Sequence, residues 1–215
     1  IMKPVCLVLG AGAGIGGTVA AKFASEGYHS CLCRRSDQEG LDRLVKGIED
    51  EGGSANGYLI NAIEDNVIED LINTIESDVG PIEVVVYNLG AQTGMKLLKD
   101  TTHKEFEWGW RMASLGLFRV AKMLCPIMKE RGKGTILVTS ATAAMRGNAT
   151  QHSHAAAMGA RRMLCQSLNA EFSASGIHVA HIVIDGAVDA PDTLGKMLGP
   201  EMFQKFRETK GMEHD

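Results

Sequence analysis

Glycine occupies five of the eight positions in the run Gly10-Ala-Gly12-Ala-Gly14-Ile15-Gly16-Gly17. The apolar stretch Val5–Leu9 leads directly into it, and a segment with Ile15, Val19 and Phe23 on one helical face follows. Glycines at this spacing let a backbone turn sharply and approach a pyrophosphate with no Cβ in the way. The start of the following helix adds free N–H groups and a partial positive charge. Two registers fit: Gly12-x-Gly14-x-x-Gly17 is the usual dinucleotide pattern, and Gly10-x-x-x-Gly14-x-Gly16 puts its first glycine at the strand end. The second fits better. Strand before and helix after favour a dinucleotide cradle over a merely tight turn.

The next apolar strand ends at Cys33-Arg34-Arg35-Ser36. A site for NAD usually has an acid there for the ribose hydroxyls. Two arginines instead suit a 2′-phosphate through charge-assisted bonds, so the reading favours NADP(H) over NAD(H). A solvated basic turn is the plainer alternative, and Asp37 follows one residue late.

The elements that must hold these residues alternate in kind. Short β-branched runs read as buried parallel strands: Val5–Leu9, His29–Cys33, Gly57–Ile60, Glu83–Tyr87, Thr135–Thr139 and Ile177–Ile184. Between them lie helical faces such as Leu41, Leu44, Val45 and Ile48, or Ile68, Leu71, Ile72 and Ile75. Two longer helices are expected near His103–Arg131 and His152–Ser175. The repeated switch of period predicts one α/β domain over residues 1–215. It is a Rossmann-type, doubly wound parallel sheet of about six strands with helices on both faces. A short amphipathic piece around Met202, Phe203 and Phe206 ends the pattern, so a substrate lid and seventh strand are expected to be short or absent.

Net charge is −4 and the isoelectric point about 6.0, which offers no field for nucleic acid or an anionic membrane. No apolar run reaches the length of about 20 residues that a span needs, and no secretory leader is visible. Cys6, Cys31, Cys33, Cys125 and Cys165 are odd in number and scattered through apolar segments. They read as core residues rather than a disulfide or metal framework, and the expected location is the cytoplasm, with no metal.

On these motifs the chain resembles the short-chain dehydrogenase/reductase family over residues 3–190. The resemblance rests on Gly10-x-x-x-Gly14-x-Gly16, on Val84-Val85-Val86-Tyr87-Asn88-Leu89-Gly90, on Gly134-Thr135-Ile136 and on Asp185-Gly186. It implies a cofactor set of Gly10, Gly12, Gly14, Ile15, Gly16, Arg34 and Arg35. It also implies Asn61 near the adenine, Asn88 and Gly90 near its ribose, and Gly186 and Val188 near the nicotinamide. The family's catalytic Tyr-x-x-x-Lys does not occur here: Tyr28, Tyr58 and Tyr87 have Leu32, Ala62 and Ala91 four residues on. Counting back from Glu171 puts His154 at the tyrosine position and Met158 at the lysine position. The serine position falls on Ala141, between Ser140 and Thr142, and the asparagine position on Ala113. The candidate catalytic set is therefore His154 as a replacement acid, Asp185 holding its tautomer, and Ser140. The plainer alternative is that His152 and His154, flanking Ser153, are surface or capping residues at a helix start.

Two functional classes follow. One is an NAD(P)-dependent oxidoreductase acting on a small carbonyl or alcohol with a non-standard proton donor. The other is a cofactor-binding pseudoenzyme that acts as sensor or partner subunit. Phe106, Trp108 and Trp110 read as core or subunit interface, with a substrate wall as the alternative. Met112, Met123, Met128, Met158 and Met163 read as core and dimer packing, so a homodimer or homotetramer is expected.

Overall fold

The structure is a computed structural model describing residues 2–90, 94–186, 188, 190 and 194–210. Six parallel strands form its sheet: β1 (Val5–Leu9), β2 (His29–Arg34), β3 (Ser54–Leu59), β4 (Ile82–Tyr87), β5 (Gly134–Ala141) and β6 (Ile177–Ile184). Their order is β3-β2-β1-β4-β5-β6. The helices are α1 (Ile15–Ser25), α2 (Gln38–Asp50), α3 (Val67–Asp78), α4 (His103–Trp110), α5 (Gly116–Arg131), α6 (His152–Phe172), α7 (Lys196–Leu198) and α8 (Pro200–Lys210). Among the described residues no helix is long and apolar enough to cross a membrane.

Alternation along β1 and β2 divides the core into two layers. Val5, Leu7, Leu9, Cys31 and Cys33 pack with Ile68 and Ile72 of α3, Leu117 and Leu124 of α5, and Leu168 of α6. Cys6, Val8 and Leu32 face the other way, onto Ala20 and Ala24 of α1 and Leu41 and Ile48 of α2. All five cysteines are buried and free, and burial pushes the Cys6 and Cys31 thiols well above their ordinary range.

Two elements differ from expectation. Strand β3 begins at Ser54, three residues ahead of Gly57, because pairing of His29 to Ser54, Ser30 to Ala55 and Cys31 to Asn56 overrides weak β propensity. The long helix over 103–131 is interrupted: Arg111–Leu115 form a π turn between α4 and α5. Such widened turns release carbonyls from the helical ladder. The Tyr87 hydroxyl takes the Met112 carbonyl at 2.5 Å, and Arg161 Nε takes that of Ala113 at 2.9 Å.

Candidate functional site

Strands β1 and β4 are neighbours, yet the chain leaves β1 for α1 on one face and leaves β4 for α4 and α5 on the other. Ligands of open parallel sheets bind at such a switch point, beyond the carboxyl ends of the strands. A cavity of about 710 Å³ lies there. Gly10, Gly12, Gly14, Ile15 and Gly16 form its floor, with Arg34, Arg35 and Ser36 at the end of β2. Asn88, Leu89 and Gly90 follow β4, and Gly186, Val188, Ala190 and Leu194 close the far side. Trp108 and Met112 complete the wall. Phe106 and Trp110 are instead exposed, at 46 % and 44 %.

The glycines answer to different demands. Gly10 has φ +95°, and a Cβ on it would lie 2.5 Å from the Asn88 carbonyl oxygen. A Cβ on Gly16 would lie 2.2 Å from the Gly10 oxygen. Both are required by the turn itself. Gly12 is not: its Cβ would meet no described atom within 4 Å, and its φ is not positive. The space it leaves open faces the start of α1, whose first turn carries no acidic residue to neutralise its N–H groups. These residues fit a pyrophosphate.

At the tip of β2 the two arginines diverge. Arg34 Nη2 lies 3.1 Å from Asp37 Oδ2, whereas Arg35 is exposed. Asp37 has a left-handed backbone, φ 71°, and its carboxylate caps α2 by accepting from the Gly40 N–H at 2.9 Å. That bond first, then Arg34, holds the Asp37 carboxyl below its usual range. The late acid thus caps α2 and pairs with Arg34.

Asn88 ties the floor to the wall. Its Nδ2 donates to the Gly10 carbonyl at 3.0 Å, and its Oδ1 accepts from the Thr139 hydroxyl at 2.6 Å. Asn61 lines an adjoining recess of about 20 Å³ with Ile60 and Ala62, and its Nδ2 donates to Glu64 Oε1 at 2.8 Å.

The three candidates for chemistry stand apart from the described cavity wall. Ser140 is 7 % exposed, and its hydroxyl lies 3.7 Å from the Met158 sulfur. His154 is half-buried in the first turn of α6, one turn before Met158. Asp185 is exposed just beyond β6 and makes no ion pair among the described residues. Residues not anticipated for the site are Leu89, Met112, Ala190 and Leu194. They are ordinary apolar types, and only the tertiary arrangement brings them to the cleft.

Comparison with known proteins agrees with this architecture. The family model for short chain dehydrogenases matches residues 4–195. The chain is 28 % identical over 207 residues to the 3-oxoacyl-[acyl-carrier-protein] reductase FabG of Thermotoga maritima, covering 95 % of this chain and 80 % of that protein. It is 26 % identical over 200 residues to the 7alpha-hydroxysteroid dehydrogenase of Escherichia coli, covering 93 % and 76 %. Among solved structures, a short-chain dehydrogenase from Rhodopseudomonas palustris superposes with TM-score 0.80 at 28 % identity, over 98 % of this chain and 92 % of that one. A gluconate 5-dehydrogenase from Burkholderia cenocepacia, in complex with NADP and tartrate, gives 0.79 at 25 % identity, over 91 % and 76 %. With the glycine cradle, the six-stranded parallel sheet and this match over most of its length, the chain belongs to the short-chain dehydrogenase family of oxidoreductases.

Proposed function

We propose that the protein binds NADP(H), in preference to NAD(H), in the cleft over β1 and β4, and uses it to interconvert a small carbonyl and an alcohol. The observation that carries this reading is Gly12, a glycine that no described atom of the fold requires, at the uncapped start of α1 and on the floor of the cavity. Gly14, Ile15 and Gly16 would hold the pyrophosphate through backbone N–H groups, and Gly12, whose own N–H donates to the Gly10 carbonyl, would leave room for it. The exposed Arg35 would take the 2′-phosphate. Arg34 would share its charge between that phosphate and Asp37. Asn88 and Gly90 would border the adenosine ribose, Asn61 the adenine, and Gly186 and Val188 the nicotinamide. The bound dinucleotide would give the hydride in carbonyl reduction and take it in alcohol oxidation. His154 would hold the proton that the substrate oxygen gains or loses, with Asp185 and Ser140 completing the set. His154→Ala should then lower turnover at least about a hundredfold without changing NADPH affinity, since positioned proton transfer is worth that much. Unchanged turnover would remove His154 from the mechanism.

A second reading, dinucleotide binding without turnover, is favoured by one contact. Where the family resemblance places lysine, Met158 is 3 % exposed, and Ser140 donates to its sulfur. A thioether can neither lower a neighbour's pKa nor bind ribose hydroxyls. NADPH consumption with a panel of aldehydes and ketones separates the two readings. The assembly proposed is a homodimer or homotetramer, supported by the exposed apolar residues Phe118 on α5 and Met163 on α6.

A further inference from the structure

Arg161 lies on the inner face of α6, one turn beyond Met158, and is only 1 % exposed. Arginine is almost never buried so fully without an anion. Among the described residues no carboxylate accompanies it. Its Nε donates to the Ala113 carbonyl at 2.9 Å, Nη1 to that of Thr139 at 2.9 Å, and Nη2 to that of Leu89 at 2.7 Å. The guanidinium carbon sits 5.1 Å from the centre of the Tyr87 ring, a cation–π contact. Burial lowers the Arg161 pKa from its ordinary value, but a guanidinium stays charged in proteins.

One of the three carbonyls belongs to the cleft wall, and the other two lie directly behind it. Leu89 lines the cavity and follows Asn88, which holds the Gly10 carbonyl. Thr139 bonds Asn88 through its hydroxyl and precedes Ser140. Ala113 lies in the π turn, next to the wall residue Met112. The positions continuing the same buried stripe of α6, Cys165 and Leu168, are apolar, so filling space does not call for a charge here. Desolvating a cation against neutral carbonyls is costly, and its field is weakly screened where water is excluded.

We propose that Arg161 is a positioning residue of the dinucleotide site. It clamps the wall at Leu89 and the two segments behind it by their carbonyls, and it sets a fixed positive charge there that favours the uncharged, reduced nicotinamide over the pyridinium form. This rests on the dinucleotide reading above and adds to it a preference for oxidation state.

The test is the ratio of dissociation constants, NADP+ over NADPH, for the wild-type protein, Arg161→Lys and Arg161→Gln, each checked for a cooperative melt. Glutamine keeps N–H donors and loses the charge. Its ratio should fall by about threefold or more, a change of about 0.65 kcal/mol. A merely structural arginine would weaken both forms in parallel and leave the ratio where it was. Lysine gives a second, milder arm. A lysine buried in this place loses its proton more readily than one in water, so the Arg161→Lys ratio should match wild type at pH 6 and decline as pH rises. The wild-type ratio should stay flat. Equal ratios in wild type and Arg161→Gln, or a flat Arg161→Lys profile if the glutamine variant does not fold, overturn the proposal. Wild-type protein that binds neither form overturns the dinucleotide reading itself, and this inference with it.

Discussion

Gly10 and Gly12 are two residues apart and constrained from opposite sides. Gly10→Ala must place a Cβ 2.5 Å from the Asn88 oxygen at φ +95°, so it should cost about 2 kcal/mol or more in urea unfolding. Gly12→Ala should change stability by no more than about 0.5 kcal/mol while weakening NADPH at least about tenfold. Full affinity in a stable Gly12→Ala protein would remove the cradle from the account. Arg35→Ala should weaken NADPH about tenfold, roughly 1.4 kcal/mol, and leave NADH unchanged by the same titration. The glycine spacing was legible in the sequence because steric need and phosphate approach both leave glycine behind. The role of Asp37 was not. Its left-handed backbone and its bond to the Gly40 N–H arise from how α2 docks, and residue type alone does not distinguish a capping acid from a ribose acid.

The helices that shape the wall show where local pattern stops being informative. Strands β1 and β6 lie where their β-branched runs end, whereas β3 owes its first residues, Ser54, Ala55 and Asn56, to β2 alone. Nothing in Arg111-Met-Ala-Ser-Leu115 signals a π turn, because its carbonyls find their partners on Tyr87 and Arg161, far along the chain. Helix α4 begins with a capping box in which the Thr102 hydroxyl accepts from the Glu105 N–H and Glu105 returns a bond to the Thr102 N–H. Thr102→Ala should cost about 1 kcal/mol in denaturant unfolding. Lys96 first, then the Thr102 bonds, pull the Glu105 carboxyl from 4.5 down to about 2. A carboxyl lowered on folding stabilises above its unfolded pKa, and that contribution is lost as the group protonates. The loss on acidification should therefore fall between about pH 4.5 and pH 2, and Glu105→Gln should flatten the stability profile in that window. An unaltered acid limb would contradict the assignment.

Across the molecule, the order β3-β2-β1-β4-β5-β6 is set by the crossovers and was not readable in advance, whereas the six parallel strands and the helices on both faces follow from β-branched runs alternating with helical faces and were. The cleft wall was less so, since Leu89, Met112 and Leu194 become site residues only when three chain segments converge. The outer face of α5 and α6 leaves Phe118 47 % and Met163 49 % exposed. Joint Phe118→Glu and Met163→Glu substitution should convert the proposed homodimer or homotetramer to monomer in sedimentation, and an unchanged oligomer mass would place the interface elsewhere. Trp108 stands in the wall of the cavity over β1 and β4 and provides a reporter there. Titrating the protein with NADPH and with NADH, while exciting tryptophan and reading dinucleotide emission, decides whether that cavity holds the dinucleotide. Micromolar NADPH binding with NADH weaker by about tenfold or more is the result expected. No transfer and no binding of either dinucleotide would contradict the account.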